Sequence, residues 1–546
     1  MDRFWQQHYD EKVPKSLEFP DLSLYQLLQR AAERNPGGAA TYFFGARLSY
    51  RQLRSAVDRF AGALSRQGVS RGDRVALMLP NIPGYPIAHF ATLKLGAFVV
   101  PTNPLYVERE LQHQLNDCGA ESVVVLDQLY PKLEKVRHQT SVRRVVAMSV
   151  GDFLPWPLSV LYRFKNKASV RSDLRAGLFS YRDFIKGADP ALPEAPVKPD
   201  DTATLLYTGG TTGLSKGAEL THRNLVANVR QTRAWLWSME DEKDVLLCVL
   251  PFFHSYGLTT GMHLAVLSRC TMVLLPRFEL PDVARQIQKT RPSVFCGVPS
   301  MYNALSRYPK LSQRDLSSIR LCVSGGAALP EDVQSRFEEM TGGKLVEGYG
   351  LTETSPVALV NPTHGHRKPG TIGIPVPETD ARIVDPETRS ALSFNEVGEL
   401  ALRGPQIMKG YWRQPEETAR VLSEGWLYTG DLACMDEEGF VKIVDRKKDL
   451  IISAGMNVYP REVEEVLQLH PAIVEAAVVG SHSQLRDEIV KAYIVLEEGR
   501  GLSKSEIIEF CRDKLAKYKI PRQVEFVQEL PKSAIGKVLK RVLKEQ

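Results

Sequence analysis

The sequence predicts an α/β protein: a large N-terminal body of parallel-rich sheets flanked by helices, followed by a small α+β domain. Three observations carry this. Short apolar runs alternate with helix-period segments over residues 72–148 and again beyond residue 200, the mark of βαβ units on a largely parallel sheet. After Arg446 the pattern changes to a compact mix of helices and strands. The 546 residues are too many for one module, given roughly 100–200 residues per domain.

In chain order, residues 75–79 read as a strand, 85–95 as an amphipathic helix, 97–100 as a strand, 107–116 as a helix and 122–126 as a strand. Between about 150 and 200 the pattern dissolves into a proline-rich stretch. It resumes at 204–207, 221–237, 245–249, 271–275, 283–289, 293–297 and 321–324, so more than one sheet is expected. Near the C-terminus, helices at 460–469 and 504–517 accompany strands at 473–479 and 489–496, before a basic tail at 532–544.

Composition excludes several classes. Hydrophobic residues are 43% and charged residues 25%, the balance of a protein with a large core and not of a disordered or fibrous chain. The net charge of +6 is mild for this length and no basic block stands out, so nucleic acid is not an expected partner. The seven cysteines are scattered without a C-x-x-C, which favours neither a disulfide framework nor a zinc site and suits a reducing, cytoplasmic location. Residues 1–15 lack the apolar stretch of a signal peptide. The longest apolar run, 245–253, contains Pro251 and falls short of the about 20 residues a membrane span needs.

The strongest chemical signal is Tyr207-Thr-Gly-Gly-Thr-Thr-Gly-Leu-Ser-Lys-Gly217. A strand runs into a loop in which Gly209, Gly210 and Gly213 let backbone N–H groups converge on an anion. Thr208, Thr211, Thr212 and Lys216 add donors and positive charge. This is a phosphate cradle, and not a Walker A loop, because Lys216 is followed by Gly217 and not by Ser or Thr. Glu353 is a candidate magnesium ligand, since hard cations take carboxylate oxygens. Asp431 and Arg446 flank the turn 436–439, and a hairpin there would bring them to one end of a ribbon. By themselves they suit either a structural ion pair or contacts to two ribose hydroxyls. His254 after an apolar run is by itself more often a core residue, and 532–544 a solvated charge run.

Together these motifs resemble those of the adenylate-forming enzymes, which include acyl-CoA synthetases, firefly luciferase and peptide adenylation domains. After the loop come Pro251-Phe-Phe-His254, Gly348-Tyr-Gly-Leu-Thr-Glu353, Tyr428-Thr-Gly-Asp431, Asp445-Arg-Lys-Lys-Asp449 and Pro531-Lys-Ser-Ala-Ile-Gly-Lys537, in the family order. The resemblance runs from about residue 20 to the C-terminus. It implies an AMP-binding domain over 1–445 with a β-barrel-like part, and a mobile domain over 446–546 hinged near Lys448.

The resemblance also implies roles. Residues 208–216 would hold the leaving phosphates, with Glu353 and Thr208 at a magnesium ion. Tyr349 would stack on adenine and Thr352 contact the α-phosphate, beside Gly326, Ala327, Glu347, Gly348 and Gly350. Asp431 and Arg446 would bind ribose. Lys537, His254 and Thr352 would be catalytic, with Lys537 bridging carboxylate and phosphate. His254, Tyr256, Val298 and Gly325 would line the acyl pocket, and Gly455 and Met456 a CoA tunnel. The implied substrates are ATP with Mg2+, a carboxylic acid and CoA.

Asn103-Pro-Leu-Tyr106, Gln112-His-Gln-Leu-Asn116 and Asn457-Val-Tyr-Pro460 resemble the bacterial long-chain fatty acid–CoA ligases, as does Gly209 where many relatives have serine. The position of a tryptophan gate found in some long-chain members holds Leu258. The chain ends without Ser-Lys-Leu, unlike a peroxisomal luciferase relative. An aryl or branched acid, or a carrier protein as acyl acceptor, stays open, as does a homodimer. Residues 153–167 combine aromatic and aliphatic residues with Arg163, Lys165 and Lys167, which suits either an interfacial membrane segment or a buried irregular loop.

Overall fold

The computed structural model describes residues 3–165, 170–208, 215–311, 314–453, 456–483, 486–497, 499–533 and 536–544. The chain divides into two compact units, residues 1–380 with 403–425, and residues 381–402 with 426–546.

The first unit holds two sheets. One has eight strands in the spatial order Gly410–Tyr411, Lys216–Thr221, Thr202–Thr208, Phe98–Pro101, Arg74–Met78, Ser122–Leu126, Arg144–Met148, Leu178–Ser180. Neighbours from Thr202–Thr208 (β1) onward run parallel. Lys216–Thr221 (β2) turns back antiparallel to β1, with Thr208 opposite Lys216. The proline-rich stretch thus supplies an edge strand, Leu178–Ser180, and is not wholly irregular.

The second sheet has nine strands. At its centre lie Val245–Cys248 (β3), Val294–Gly297 (β4), Leu321–Ser324 (β5) and Lys344–Gly350 (β6), in the order β6-β5-β4-β3 and all parallel. Their apolar residues are buried on both faces, which is why they read in the sequence as continuous runs and not as alternation. The edge strand of the first sheet, Gly410–Tyr411 (β7), pairs antiparallel with β2.

The helix read as amphipathic at 85–95 is buried all round. Every residue of Gly84–Lys94 is buried, because the run carries no charge before Lys94, and Lys94 itself is neutralised by Asp58 at 2.7 Å.

In the second unit an antiparallel arrangement links Gly398–Arg403 to Trp426–Met435 (β8), and β8 to Val441–Arg446 (β9). Asp380–Val384 flanks Gly398–Arg403. Among the described residues no pairing closes these strands on themselves, so the barrel-like part that the resemblance implied is an open sheet.

The C-terminal part of this unit pairs Ile473–Ser483 antiparallel with Arg486–Leu496, and Gln523–Phe526 parallel to the latter. Val463 and Leu467 of the helix Pro460–Gln468 and Ile507 of the helix Lys504–Arg512 share a core with Val478, Val490 and Ile494. The expected basic tail is folded. Lys532 bridges Val538, Lys540–Lys544 is helical, and Leu543 is buried with its carbonyl accepting from Tyr493 Oη at 2.9 Å. Leu543 and Val538 give this basic segment an apolar side that packs on Ala477, Val479 and Tyr493.

Candidate active site

Because β6, β5, β4 and β3 are adjacent and parallel, the segments leaving their C-terminal ends emerge along one edge of the sheet. Those segments carry residues 251–256, Val298, 325–327 and 351–353. Ligands of open α/β sheets bind outside the carboxyl ends of their strands. The long-range register therefore gathers motifs that are separated by up to a hundred residues in the chain.

Specific contacts fix this edge. His254 is half-buried, and its Nδ1 accepts the Tyr256 N–H at 3.2 Å, opening the turn Ser255–Gly257. Tyr256 Oη donates to the Val323 carbonyl on β5 at 2.8 Å, and burial holds its phenol well above the usual tyrosine range. Its ring covers Gly325, where a Cβ would stand 3.0 Å from the ring, so Gly325 makes room for Tyr256. Val298 is buried beside β4, while Gly326 and Ala327 are exposed. Glu347 is buried on β6 and accepts the Leu329 N–H at 3.1 Å, which ties the 325–329 loop to that strand.

Gly348 and Tyr349 sit at the end of β6, half-buried. At Gly350 a Cβ would lie 1.8 Å from the Pro356 carbonyl oxygen, a backbone atom that cannot step aside. Only glycine fits there. The Thr352 and Ser255 hydroxyls approach to 3.5 Å, and Thr259 Oγ1 donates to the Ser355 carbonyl at 2.8 Å, so the two loops are joined.

Glu353 lies on the single turn Thr352–Thr354, with its backbone carbonyl accepting from Met408 N at 2.8 Å and Oε1 from Tyr411 Oη at 2.8 Å. Lys216, the first residue of β2, forms an ion pair with Glu417 and lies 5.4 Å from the Tyr411 ring centroid. Thr208 ends β1 directly opposite it. Gly209, Gly210, Thr211, Thr212 and Gly213, expected to cradle phosphate, lie outside the described residues.

The second unit gathers the other motifs. Asp431 on β8 and Arg446 on β9 are register partners, with Arg446 Nε 3.1 Å from Asp431 Oδ1. The expected hairpin is therefore present. Lys537 arrives on a turn in which Gly536 N donates to Ser533 O at 2.8 Å and Ser533 N to Lys537 O at 2.8 Å. Gly536 takes φ of +77°, the left-handed region that favours glycine.

Burial and the Arg446 and Lys448 charges push the Lys537 ammonium down to about 8, against the pull of Asp431 and Asp449. Lys448 is likewise pushed down to about 8 by burial and by Arg446. It lies in a turn in which Asp449 N donates to Arg446 O at 2.9 Å. Burial raises the Asp445 carboxyl, which accepts from Arg446 N at 2.7 Å and Arg461 N at 2.8 Å. Met456 is exposed on the two-stranded ribbon that follows, and Gly455 lies outside the described residues.

A family model described as AMP-binding enzyme matches residues 28–412, and the AMP-binding enzyme C-terminal domain matches 462–537. The chain belongs to the AMP-binding enzyme family. This AMP-binding enzyme is 44% identical to a long-chain-fatty-acid–CoA ligase of Bacillus subtilis, over 99% of this chain and 98% of that one. The ATP-bound structure of MatB from Rhodopseudomonas palustris is 32% identical, with a TM-score of 0.85 over 96% of this chain and 99% of that one. The anthranilate CoA ligase AuaEII in complex with anthranoyl-AMP is 27% identical, with a TM-score of 0.86 over 97% and 98%.

Two residues of the AMP-binding enzyme that contact Lys216 escaped sequence reasoning. Tyr411 and Glu417 follow a turn in an aromatic, acidic stretch that resembles any surface connection. Only the pairing of β7 with β2 brings Tyr411 beside Lys216.

Proposed function

We propose that this AMP-binding enzyme activates a long-chain fatty acid and transfers it to CoA. A carboxylate oxygen attacks the α-phosphorus of ATP, the bond to the bridging oxygen breaks, and pyrophosphate leaves. The CoA sulfur then attacks the acyl carbonyl carbon, AMP departs with the mixed-anhydride oxygen, and the thiol proton passes to solvent. The observation that carries this reading is the full-length likeness to the Bacillus subtilis ligase, which spans both units.

Within that reading, Lys216 with residues 208–213 holds the leaving phosphates, and Thr352 and Tyr349 take the α-phosphate and adenine. Asp431 and Arg446 take the ribose hydroxyls. His254, Tyr256, Val298 and Gly325 face the acid, and Gly326, Ala327, Glu347, Gly348 and Gly350 shape the nucleotide wall. Lys537 neutralises charge as one anion attacks another.

Magnesium fits the residues present. Among the described residues no three His, Cys, Asp or Glu cluster as a metal site. A divalent ion at Glu353 would take its other positions from phosphate and water, which is how magnesium is commonly held. When bound it supplies charge neutralisation at the phosphates.

The test is ATP–pyrophosphate exchange across dodecanoate, palmitate, oleate, benzoate and 4-coumarate, followed by thioester formation with CoA. Exchange is expected to be fastest with the long-chain acids. Exchange confined to the aryl acids would overturn the substrate, and none with any acid would overturn the reaction.

The 153–165 segment supports a further reading of place: contact with an anionic membrane surface. Among the described residues no helix is long and apolar enough to cross a membrane. Trp156, Leu161 and Phe164 are 82%, 60% and 81% exposed, so the alternative of a buried loop does not hold for them. Aromatic and aliphatic side chains on the helix Leu158–Lys165, with Arg163, Lys165 and Lys167 in the sequence stretch 153–167, suit the headgroup region. Exchanging Trp156 and Leu161 for serine is expected to abolish flotation with anionic liposomes. Unchanged flotation would remove this assignment.

A further inference from the structure

We propose that Tyr411 is a positioning residue that sets the Glu353 carboxylate for a divalent cation and seats Lys216 beside it. This rests on the nucleotide-activating reading above, and it adds a residue to which that reading gave no role.

The Tyr411 hydroxyl donates to Glu353 Oε1 at 2.8 Å. An ionised carboxylate accepts through both oxygens, so a donor on Oε1 fixes the group's rotation and presents Oε2 to a cation. A tyrosine hydroxyl has one O–H to donate, and an ordinary phenol keeps that proton at physiological pH.

The opposite partner is Lys216. Its ammonium lies 5.4 Å from the ring centroid of Tyr411, within the range at which a cation is attracted to an aromatic ring. The same side chain thus touches the metal carboxylate through its hydroxyl and the phosphate lysine through its ring.

The backbone holds Tyr411 still. It stands opposite Ala218 in the β7–β2 ladder, and the flanking amides of Lys409 and Trp412 donate to the Glu219 and Gly217 carbonyls at 3.0 and 2.8 Å. Its own N–H donates to Thr418 Oγ1 at 2.9 Å. Those bonds anchor Tyr411 to the strand that begins with Lys216. Glu353, 58 residues away in the chain, is thereby referenced to the phosphate loop's far end. A second carboxylate, Glu417, pairs with Lys216 from the helix Pro415–Val421 and is expected to give way when phosphate binds.

The test is Tyr411→Phe, which removes the hydroxyl and keeps the ring. The readout is calorimetric titration of the full chain with the magnesium complex of α,β-methylene-ATP and, separately, with AMP without metal. The variant is expected to bind the magnesium complex about tenfold more weakly, the scale of a lost hydrogen bond to a charged group. AMP affinity should stay at the wild-type value, and replacing magnesium by manganese should narrow the gap.

Equal weakening toward AMP and the magnesium complex would show a structural role only and overturn the inference. So would unchanged affinity for both, with thermal melting as the check that the variant is folded. Wild-type protein that fails to bind the magnesium complex would overturn the functional reading itself. Normal wild-type binding with an unshifted variant overturns this inference alone.

Discussion

Replacing Lys537 by alanine is expected to slow acyl-adenylate formation roughly 10²–10³-fold, about 2.7–4 kcal/mol of transition-state stabilisation. Thioester formation from supplied acyl-AMP should stay near the wild-type rate. The reason is chemical: two anions approach each other in the first half-reaction, whereas a sulfur nucleophile attacks a neutral carbonyl in the second. Lys537 stands among Arg446, Asp431, Lys448 and Asp449, on a turn fixed by Ser533 and Gly536.

The same environment sets a pH dependence. The ammonium titrates at about 8, below the ordinary lysine value, because burial and the Arg446 charge disfavour the protonated form. The charged form is therefore complete below pH 7 and is lost as pH rises through 8. Adenylation by the wild-type enzyme should fall over that interval. Lys537→Arg keeps its charge there and should lack that alkaline decline, although its absolute rate is lower because the guanidinium is larger and planar. Pyrophosphate exchange for the first half-reaction and CoA-dependent decay of acyl-AMP for the second separate the steps. Equal slowing of both by Lys537→Ala would refute the assignment.

The second large effect is expected at Lys448, which we propose as a hinge. In the proposed reaction Lys537 and the CoA thiol act at the same carbonyl in succession, so the segment carrying Lys537 would have to move between the two steps. The bonds on either side of Lys448 support the proposed hinge. Lys447 bonds backward, its N–H to the Gly430 carbonyl at 3.0 Å and its Nζ to the Pro386 carbonyl at 3.0 Å. The Asp449 carboxylate pairs forward with Lys544 at 3.4 Å, while its N–H reaches back over Lys448 to the Arg446 carbonyl at 2.9 Å. Lys448 lies between these two sets of partners, at the position where a few torsions could absorb a domain movement. Rotation would give up the Arg461 N–H bond to Asp445 at 2.8 Å and the Asp449 N–H bond to the Arg446 carbonyl at 2.9 Å, a cost that ligand binding would have to offset.

Proline at 448 locks φ near −65° and restricts Lys447 as well. Lys448→Pro is expected to retain pyrophosphate exchange within a few-fold of wild type while CoA-dependent turnover falls at least a hundredfold. Wild-type thioester formation would refute the hinge. Loss of both half-reactions would place the effect in the fold around Asp431 and Arg446.

The sequence by itself determined the elements and the local chemistry. The parallel strands were legible because a strand buried on both faces is an uninterrupted apolar run, as at Val294–Gly297 and Leu321–Ser324. The Asp431–Arg446 pair was legible because a hairpin is a short-range structure, its register set by the turn between its strands. Membership of the AMP-binding enzyme family was legible because its motifs are each contiguous in the chain, as at residues 207–217.

Tertiary structure alone decided the rest. The burial of Gly84–Lys94 on every side depends on what surrounds the helix, and a period in the sequence reports only which face lacks charge. The basic segment 532–544 folds because Leu543 and Val538 meet apolar partners on another strand, a contact that a charge count does not contain. Tyr411 reaches Glu353 only through the pairing of Gly410–Tyr411 with Lys216–Thr221. Strand order in a sheet is a choice among long-range pairings, and no local propensity encodes it, so the residues joined by that order become visible only when the chain is folded.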